Sequence, residues 1–92
     1  MTTAVRGVRG AITVTRNTRA EILSQTGKLL KKMVTSNKIA VEDIACVIFS
    51  VTQDINAEFP AIAARTLGWV YTPLMCTYEI AVPKSLPLCI RV

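Results

Sequence analysis

Hydrophobic and polar positions change period several times along the chain, and each change marks an element. AVRGVRGAITVT, residues 4–15, mixes β-branched residues with glycines and predicts a first strand, bent or closely approached at Gly7 and Gly10. Strict alternation puts Arg6 and Arg9 on opposite faces of it. The period then lengthens: Ile22, Leu23, Thr26, Leu29, Leu30, Met33 and Val34 recur at the three-and-four spacing of one helical face. Thr18 followed by Glu21 forms a capping box before it, and Asn37, which tolerates a left-handed backbone, predicts its end. AVEDI predicts a short helical turn, and ACVIFSV, apolar throughout, a buried central strand. TQDINAEFP is a polar connection. Pro60 opens a second, short helix, AIAARTLG, which Gly68 stops. LMCTYEIAV predicts a third strand, PKSLP a loop pinned by two prolines, and LCIRV the start of a fourth strand. No repeat, linker or low-complexity tract interrupts this order. It predicts one α+β domain over residues 1–92, a mixed β-sheet with one long and one short helix packed on it.

Composition adds a need for partners. A chain of 92 residues buries only about 60–65% of the surface that its unfolded form exposes. With 51% hydrophobic and 18% charged residues, there is too little charge to cover a small globule, so association between copies is expected. The net charge of +5 raises the question of nucleic acid. Only Lys28, Lys31, Lys32 and Lys38 cluster, on the predicted long helix, and no aromatics are interleaved with them to stack bases, so no nucleic-acid partner is expected. The same excess can steer a small anionic substrate into a cleft. Cys46, Cys76 and Cys89 lie in apolar runs that favour buried thiols over disulfides, and the absence of histidine argues against a metal site. The N-terminus lacks the apolar stretch of a signal peptide and no run reaches membrane-spanning length, so the expected location is cytoplasmic, away from the membrane.

The commonest catalytic designs are missing. There is no histidine, no serine in a nucleophile-elbow context and no phosphate-binding glycine loop. What remains is a set of arginines beside apolar sequence: Arg9, Arg65 and Arg91. Guanidinium holds carboxylates in fixed bidentate geometry, and Glu79 could orient a neutral hydroxyl. Each has a plainer reading. A strand-end arginine is more often solvated than ligand-bound, Arg65 on a short helix is more often a surface residue, Glu79 can pair with a lysine, and Cys76 can be a core thiol.

Together, however, RGVRGAITVTRNT, FPAIAAR, GWVYTPLMCTYEI and LCIRV resemble, in order and spacing, the monofunctional chorismate mutases of the AroH class. The resemblance covers essentially the whole chain. It implies a homotrimeric pseudo-α/β-barrel with sites between neighbouring subunits. It implies one reaction, the Claisen rearrangement of chorismate to prephenate on the route to phenylalanine and tyrosine, which is unimolecular and uses no nucleophile, proton transfer or cofactor. Catalysis then comes from holding a flexible dianion in its reactive shape and from placing positive charge where the breaking ether oxygen becomes negative. By the same resemblance Arg91 is the cation at the ether oxygen, Glu79 accepts from the ring hydroxyl, and Arg9 and Arg65 bind carboxylates. Phe59 and Ala61 form an apolar wall, and Leu74 and Met75 line the pocket. Cys76, on the opposite sheet face from Glu79, is expected to act through its backbone N–H. Two departures stand out. Ile62 occupies a position where some members carry a basic residue, and the family's further strand and basic tail have no counterpart before Val92. A non-catalytic or imine-deaminase-like small-molecule-binding trimer on the same fold is the alternative.

Overall fold

The computed structural model describes residues 4–92, so the first three positions of the domain reading lie outside it. Strands β1 (Ala11–Thr13), β2 (Val47–Val51), β3 (Leu74–Tyr78) and β4 (Cys89–Arg91) form one mixed sheet in the order β1-β4-β2-β3. Helices α1 (Arg19–Ser36) and α2 (Ala61–Thr66) and a 3-10 turn (Val41–Asp43) connect them. β4 runs antiparallel to both β1 and β2, whereas β2 and β3 are parallel and joined through α2. The predicted α+β architecture is the one found.

Helix α1 begins at Thr18, an extended residue whose hydroxyl accepts from the Glu21 N–H at 3.3 Å. Only that half of the capping box forms. The Glu21 carboxylate reaches further back, accepting from the N–H and the hydroxyl of Thr15, while the Thr18 N–H goes to the Arg16 carbonyl. At the other end Asn37 is not left-handed. It closes the helix through its side-chain amide, which donates to the Met33 carbonyl at 2.8 Å, and the left-handed residue is Lys38, with φ 53°. Helix α2 stops as the sequence indicates, at Gly68 with φ 93°.

Two clusters make the core, both on the helix side of the sheet. Ile22 of α1 packs with Val14, Val51, Ile55 and Ile90. Leu30 packs with Val47, Phe49, Ala64 and Trp69. Phe49 and Ile90 are fully buried, and each such side chain stabilises the fold by about 1.5–3 kcal/mol. Val47, Phe49 and Val51 point inward, so Ile48 and Ser50 turn to the opposite face, which carries no helix.

The first strand is shorter than the predicted 4–15. Ladder pairing runs from Gly10, whose N–H and C=O both bond Val92, to Val14, whose N–H reaches the Leu88 carbonyl. Residues 4–9 have no ladder partner and are exposed. At Gly10 the backbone passes so close to α1 that a Cβ there would lie 3.0 Å from Leu29 Cδ1 and 3.2 Å from Met33 Sδ. Gly7 has open space around it, so the close approach expected of both glycines occurs at one. The third strand likewise stops at Tyr78, before the predicted IAV segment, where residues 80–87 leave the sheet as a loop.

Candidate active site

Ile90 fills the core, so its neighbour Arg91 must project from the open face, opposite Ala11 on one side and Ser50 on the other. Glu79 lies just past β3, held there by its N–H, which donates to the Val51 carbonyl at 3.0 Å. The two side chains meet above β2: Arg91 Nε donates to Glu79 Oε2 at 3.0 Å. This contact raises the Arg91 pKa still further, chiefly through the hydrogen bond, so the guanidinium is permanently charged. Arg91 is 47% exposed and Glu79 24%. Glu79 Oε1 is buried with no hydrogen-bond partner among the described residues, and a carboxylate oxygen in that condition is costly unless a ligand supplies a donor. Arg91 makes no other side-chain hydrogen bond among the described residues, which leaves its terminal amino groups able to donate.

The other expected residues divide by location. Arg9 precedes Gly10, and Arg91 precedes Val92, so each stands one residue from the same backbone bridge; the Arg9 side chain is exposed. Met75 shares the open face with Ile48, its direct partner across the β2–β3 ladder. Leu74, Cys76 and Ala61 pack instead against the cluster around Phe49 and Trp69. Cys76 is therefore on the opposite face from Glu79, as alternation requires. Its backbone has a distinct role. The Pro73 carbonyl and the Glu79 N–H both face β2, so alternation turns the N–H groups of Leu74, Cys76 and Tyr78 to the free edge of the sheet.

Phe59 and Arg65 belong to the α2 side. Phe59 is 66% exposed on a turn that is tied down at several points. The Glu58 carboxylate accepts from the Phe59 N–H at 2.9 Å and from Arg19 Nε at 2.8 Å, while the Asn17 side-chain carbonyl accepts from the N–H groups of Asn56 and Ala57. The bonds to the Glu58 carboxylate, that from the Phe59 N–H first and then that from Arg19, hold it below its ordinary value. Arg65 uses one amino group to grip the loop before β3, donating to the carbonyls of Trp69, Val70 and Thr72. Thr72 and Glu79 stand at opposite ends of β3, so within one chain Arg65 is separated from the Arg91–Glu79 pair by about 20 Å.

Among the depressions on the surface of the described residues are two of unequal size. The larger, about 470 Å³, runs between the helices past Lys28 and Lys31 and is remote from Arg91. The smaller, about 210 Å³, opens beside Glu79 and is walled by residues 52–54 and the loop of Ile80, Val82 and Leu86. Of the charged pair, Glu79 lines the smaller one. Cys89 lies beneath it, fully buried, and burial pushes its thiol pKa up, so it stays a neutral thiol. Among the described residues no group of three or more His, Cys, Asp or Glu side chains could hold a metal ion, and no helix is long and apolar enough to cross a membrane.

The resemblance sets Arg91 and Glu79 at separate points of one substrate; in the structure the two side chains are also bonded to each other. Thr52 and Asp54, whose side chains bond the start of β4, are not among the residues that the resemblance picks out. The available signal was a Thr-x-Asp step directly after an apolar strand, a pattern whose side chains capture nearby backbone groups.

Known proteins resemble this chain over most of its length. Residues 5–92 match the family model of chorismate mutase type I. The chain is 46% identical over 89 residues to the chorismate mutase AroH of Bacillus subtilis, covering 96% of this chain and 70% of that protein. It is 49% identical over 89 residues to the AroH protein of Thermus thermophilus, covering 96% and 73%. A solved chorismate mutase from Clostridium thermocellum superposes with a TM-score of 0.91 at 53% identity, over 95% of this chain and 78% of that one. The chain therefore belongs to the type I, AroH-class chorismate mutases, and is an isomerase of that family.

Proposed function

We propose that chorismate rearranges to prephenate on the open face of the sheet, at a site centred on the Arg91–Glu79 pair and completed by a neighbouring copy of the chain. The observation that carries this reading is the buried, unpartnered Glu79 Oε1 beside a guanidinium with free donors. The ring hydroxyl of chorismate donates to Glu79 Oε1. Arg91, steadied by its Nε bond to the other carboxylate oxygen, turns its terminal amino groups to the ether oxygen. As the C–O bond breaks and the new C–C bond forms, negative charge grows on that oxygen, so the contact strengthens in the transition state and lowers the barrier. No group attacks the substrate and no proton moves.

Arg9 and Arg65 bind the two carboxylates, and the Cys76 N–H at the free edge of β3 donates to one of them. Met75 lies along the floor, Phe59 forms the wall, and Leu74 and Ala61 support that wall from the core. With about 20 Å between Arg65 and Arg91 in one chain, Phe59 and Arg65 reach the site from a neighbour. The exposed Ile48 and Met75 give the sheet an apolar surface for that neighbour to cover. A homotrimer with three shared sites satisfies both requirements. Chorismate absorbance followed on addition of the protein tests the activity, and sedimentation at micromolar concentration tests the assembly. Loss of absorbance by a trimer is the expected result; a monomer, or no loss of absorbance, would overturn the corresponding part.

A further inference from the structure

Arg91 belongs to a strand of three residues whose ladder with β2 has only two pairs, Ser50 with Arg91 and Val51 with Ile90. Past Val51 the β2 backbone turns away, with the Ile55 N–H bonded to the Thr52 carbonyl. The entry to β4 is held instead by side chains. The Thr52 N–H still donates to the Cys89 carbonyl at 3.1 Å, but the Cys89 N–H donates to Thr52 Oγ1 at 3.0 Å. One residue earlier, the Leu88 N–H donates to both Asp54 carboxylate oxygens, at 3.0 and 3.2 Å. The Thr52 hydroxyl donates in turn to Asp54 Oδ1, which joins the two holds into one unit. That hydrogen bond is the main reason the Asp54 carboxyl lies below its ordinary value, with the Leu88 N–H adding to it.

Leu88 itself is left-handed, with φ 50°, a conformation that a bulky residue adopts only when its surroundings impose it. Its carbonyl bonds Val14, so the same residue fixes the edge strand. Without an acceptor for its N–H the strained turn has every reason to relax, and relaxation there rotates or slides the three residues that follow.

We propose that Thr52 and Asp54 are positioning residues for catalysis: their side chains replace the missing backbone of β2, lock Leu88 and Cys89, and thereby set the register of Arg91 against Glu79. The inference rests on Arg91 being the cation at the ether oxygen. Glu79 is registered from the same turn, through the Val51 carbonyl, so both members of the pair are referred to one short segment, residues 51–54. Neither Thr52 nor Asp54 need touch the substrate for this. A shift of about 1 Å in a catalytic group is enough to cost on the order of a hundredfold in rate.

The experiment compares four variants of the full chain: Thr52→Val, Thr52→Ser, Asp54→Ala and Asp54→Asn. Two readouts are taken, chorismate kinetics and the NMR signal of the Arg91 Nε–H, identified by its loss in Arg91→Lys. Thr52→Val and Asp54→Ala should lower kcat about ten- to a hundredfold while KM moves by less than about threefold, and Thr52→Ser should restore the rate. Asp54→Asn, which keeps one acceptor for Leu88, should fall between. The Nε–H, slowed in exchange by its bond to Glu79, should exchange freely in Thr52→Val and Asp54→Ala and be protected again in Thr52→Ser. In an Arg91→Lys background, Asp54→Ala should cost less than about threefold, because the group being positioned has gone. The proposal is overturned if the Nε–H stays protected in Thr52→Val and Asp54→Ala, or if the cost of Asp54→Ala is the same with and without Arg91. Should Asp54→Ala fail to fold, the Thr52→Val and Thr52→Ser pair decides by the same criteria. Absence of turnover in the parent chain would overturn the reading of Arg91, whereas the NMR readout would still judge the clamp.

Discussion

Replacing Gly10 by alanine tests the packing that sets the first strand against the long helix. The added Cβ would sit 3.0 Å from Leu29 Cδ1, 3.2 Å from Met33 Sδ and 3.4 Å from Met33 Cγ. Comfortable carbon contacts begin near about 3.5 Å, so two of the three are several tenths of an ångström too close. The two neighbours differ in their freedom to yield. Met33 is half-buried and unbranched and can swing its sulfur aside; Leu29 is buried in α1 and can move only by disturbing the core. Overpacking of this kind costs about 1–3 kcal/mol, and about 2 is appropriate because one neighbour is flexible and the other is not. Alanine also restricts the unfolded chain, which returns about 0.4–1 kcal/mol. The net loss is then about 1 kcal/mol, or a fall in Tm of about 4–8 °C for a domain of this size. Gly7→Ala, with nothing within 4 Å of its Cβ, is the internal control and should not lower Tm. Melts at one fixed protein concentration make the comparison, since assembly would shift Tm by mass action. Gly10 is bonded on both its N–H and its C=O to Val92, so relief of the clash by lifting the strand would also displace Arg9, and a rise in KM should accompany the fall in Tm. If Gly10→Ala melts at or above the parent temperature while Gly7→Ala behaves as described, the close approach does not constrain the strand and this reasoning fails.

Arg65→Ala should mainly raise KM, because a carboxylate contact near the mouth is felt in ground and transition states alike, whereas Arg9→Ala should weaken both binding and turnover; steady-state kinetics showing equal effects, or none at Arg9, would contradict the assignment. Arg65→Ala should also lower Tm, since the carbonyls of Trp69, Val70 and Thr72 lose their shared donor. The carboxyls of Glu21, Asp54 and Glu58 are all held below their ordinary values by hydrogen bonds, from Thr15, Thr52 and Phe59 respectively as the largest contributions. Groups shifted downward contribute stability that is fully present above their unfolded pKa and is lost as pH falls through the folded values. Tm should therefore be level from neutral pH to about 5 and decline below about 4.5, with a shallower decline in Asp54→Asn; a Tm that rises on acidification would contradict the sign.

Most of the architecture was legible because it rests on periodicity. The inward set Ile22, Thr26, Leu29 and Leu30 follows from spacing alone, and the run around Phe49 could only be a strand covered by helices. The errors fall where a partner decides the outcome. Residues 4–9 have strand-like composition, but a strand exists only where a ladder does, and the ladder reaches Gly10. Ile80 and Val82 read as β3 yet leave the sheet at Glu79. Glu21 satisfies Thr15 in place of its own N-cap, a choice between two acceptors that spacing cannot rank. At the candidate site, the odd charges in apolar strands were the readable signal, and a resemblance of motifs gave them roles. Their pairing was not readable, because Glu79 and Arg91 come together only through the order β4-β2-β3, which is a property of topology.

Arg91 can be made neutral at nearly constant shape by joining a synthetic peptide that starts at Cys89 and carries citrulline at position 91. Citrulline keeps the planar fork and removes the charge, so it isolates the electrostatic contribution from the packing. In protein whose assembly and circular dichroism match the parent, kcat for loss of chorismate should fall by at least about a hundredfold while binding of the substrate changes far less, as for removal of a donor aimed at developing negative charge. Turnover equal to that of the parent would reduce Arg91 to a solvated strand-end residue and contradict the mechanism built on it.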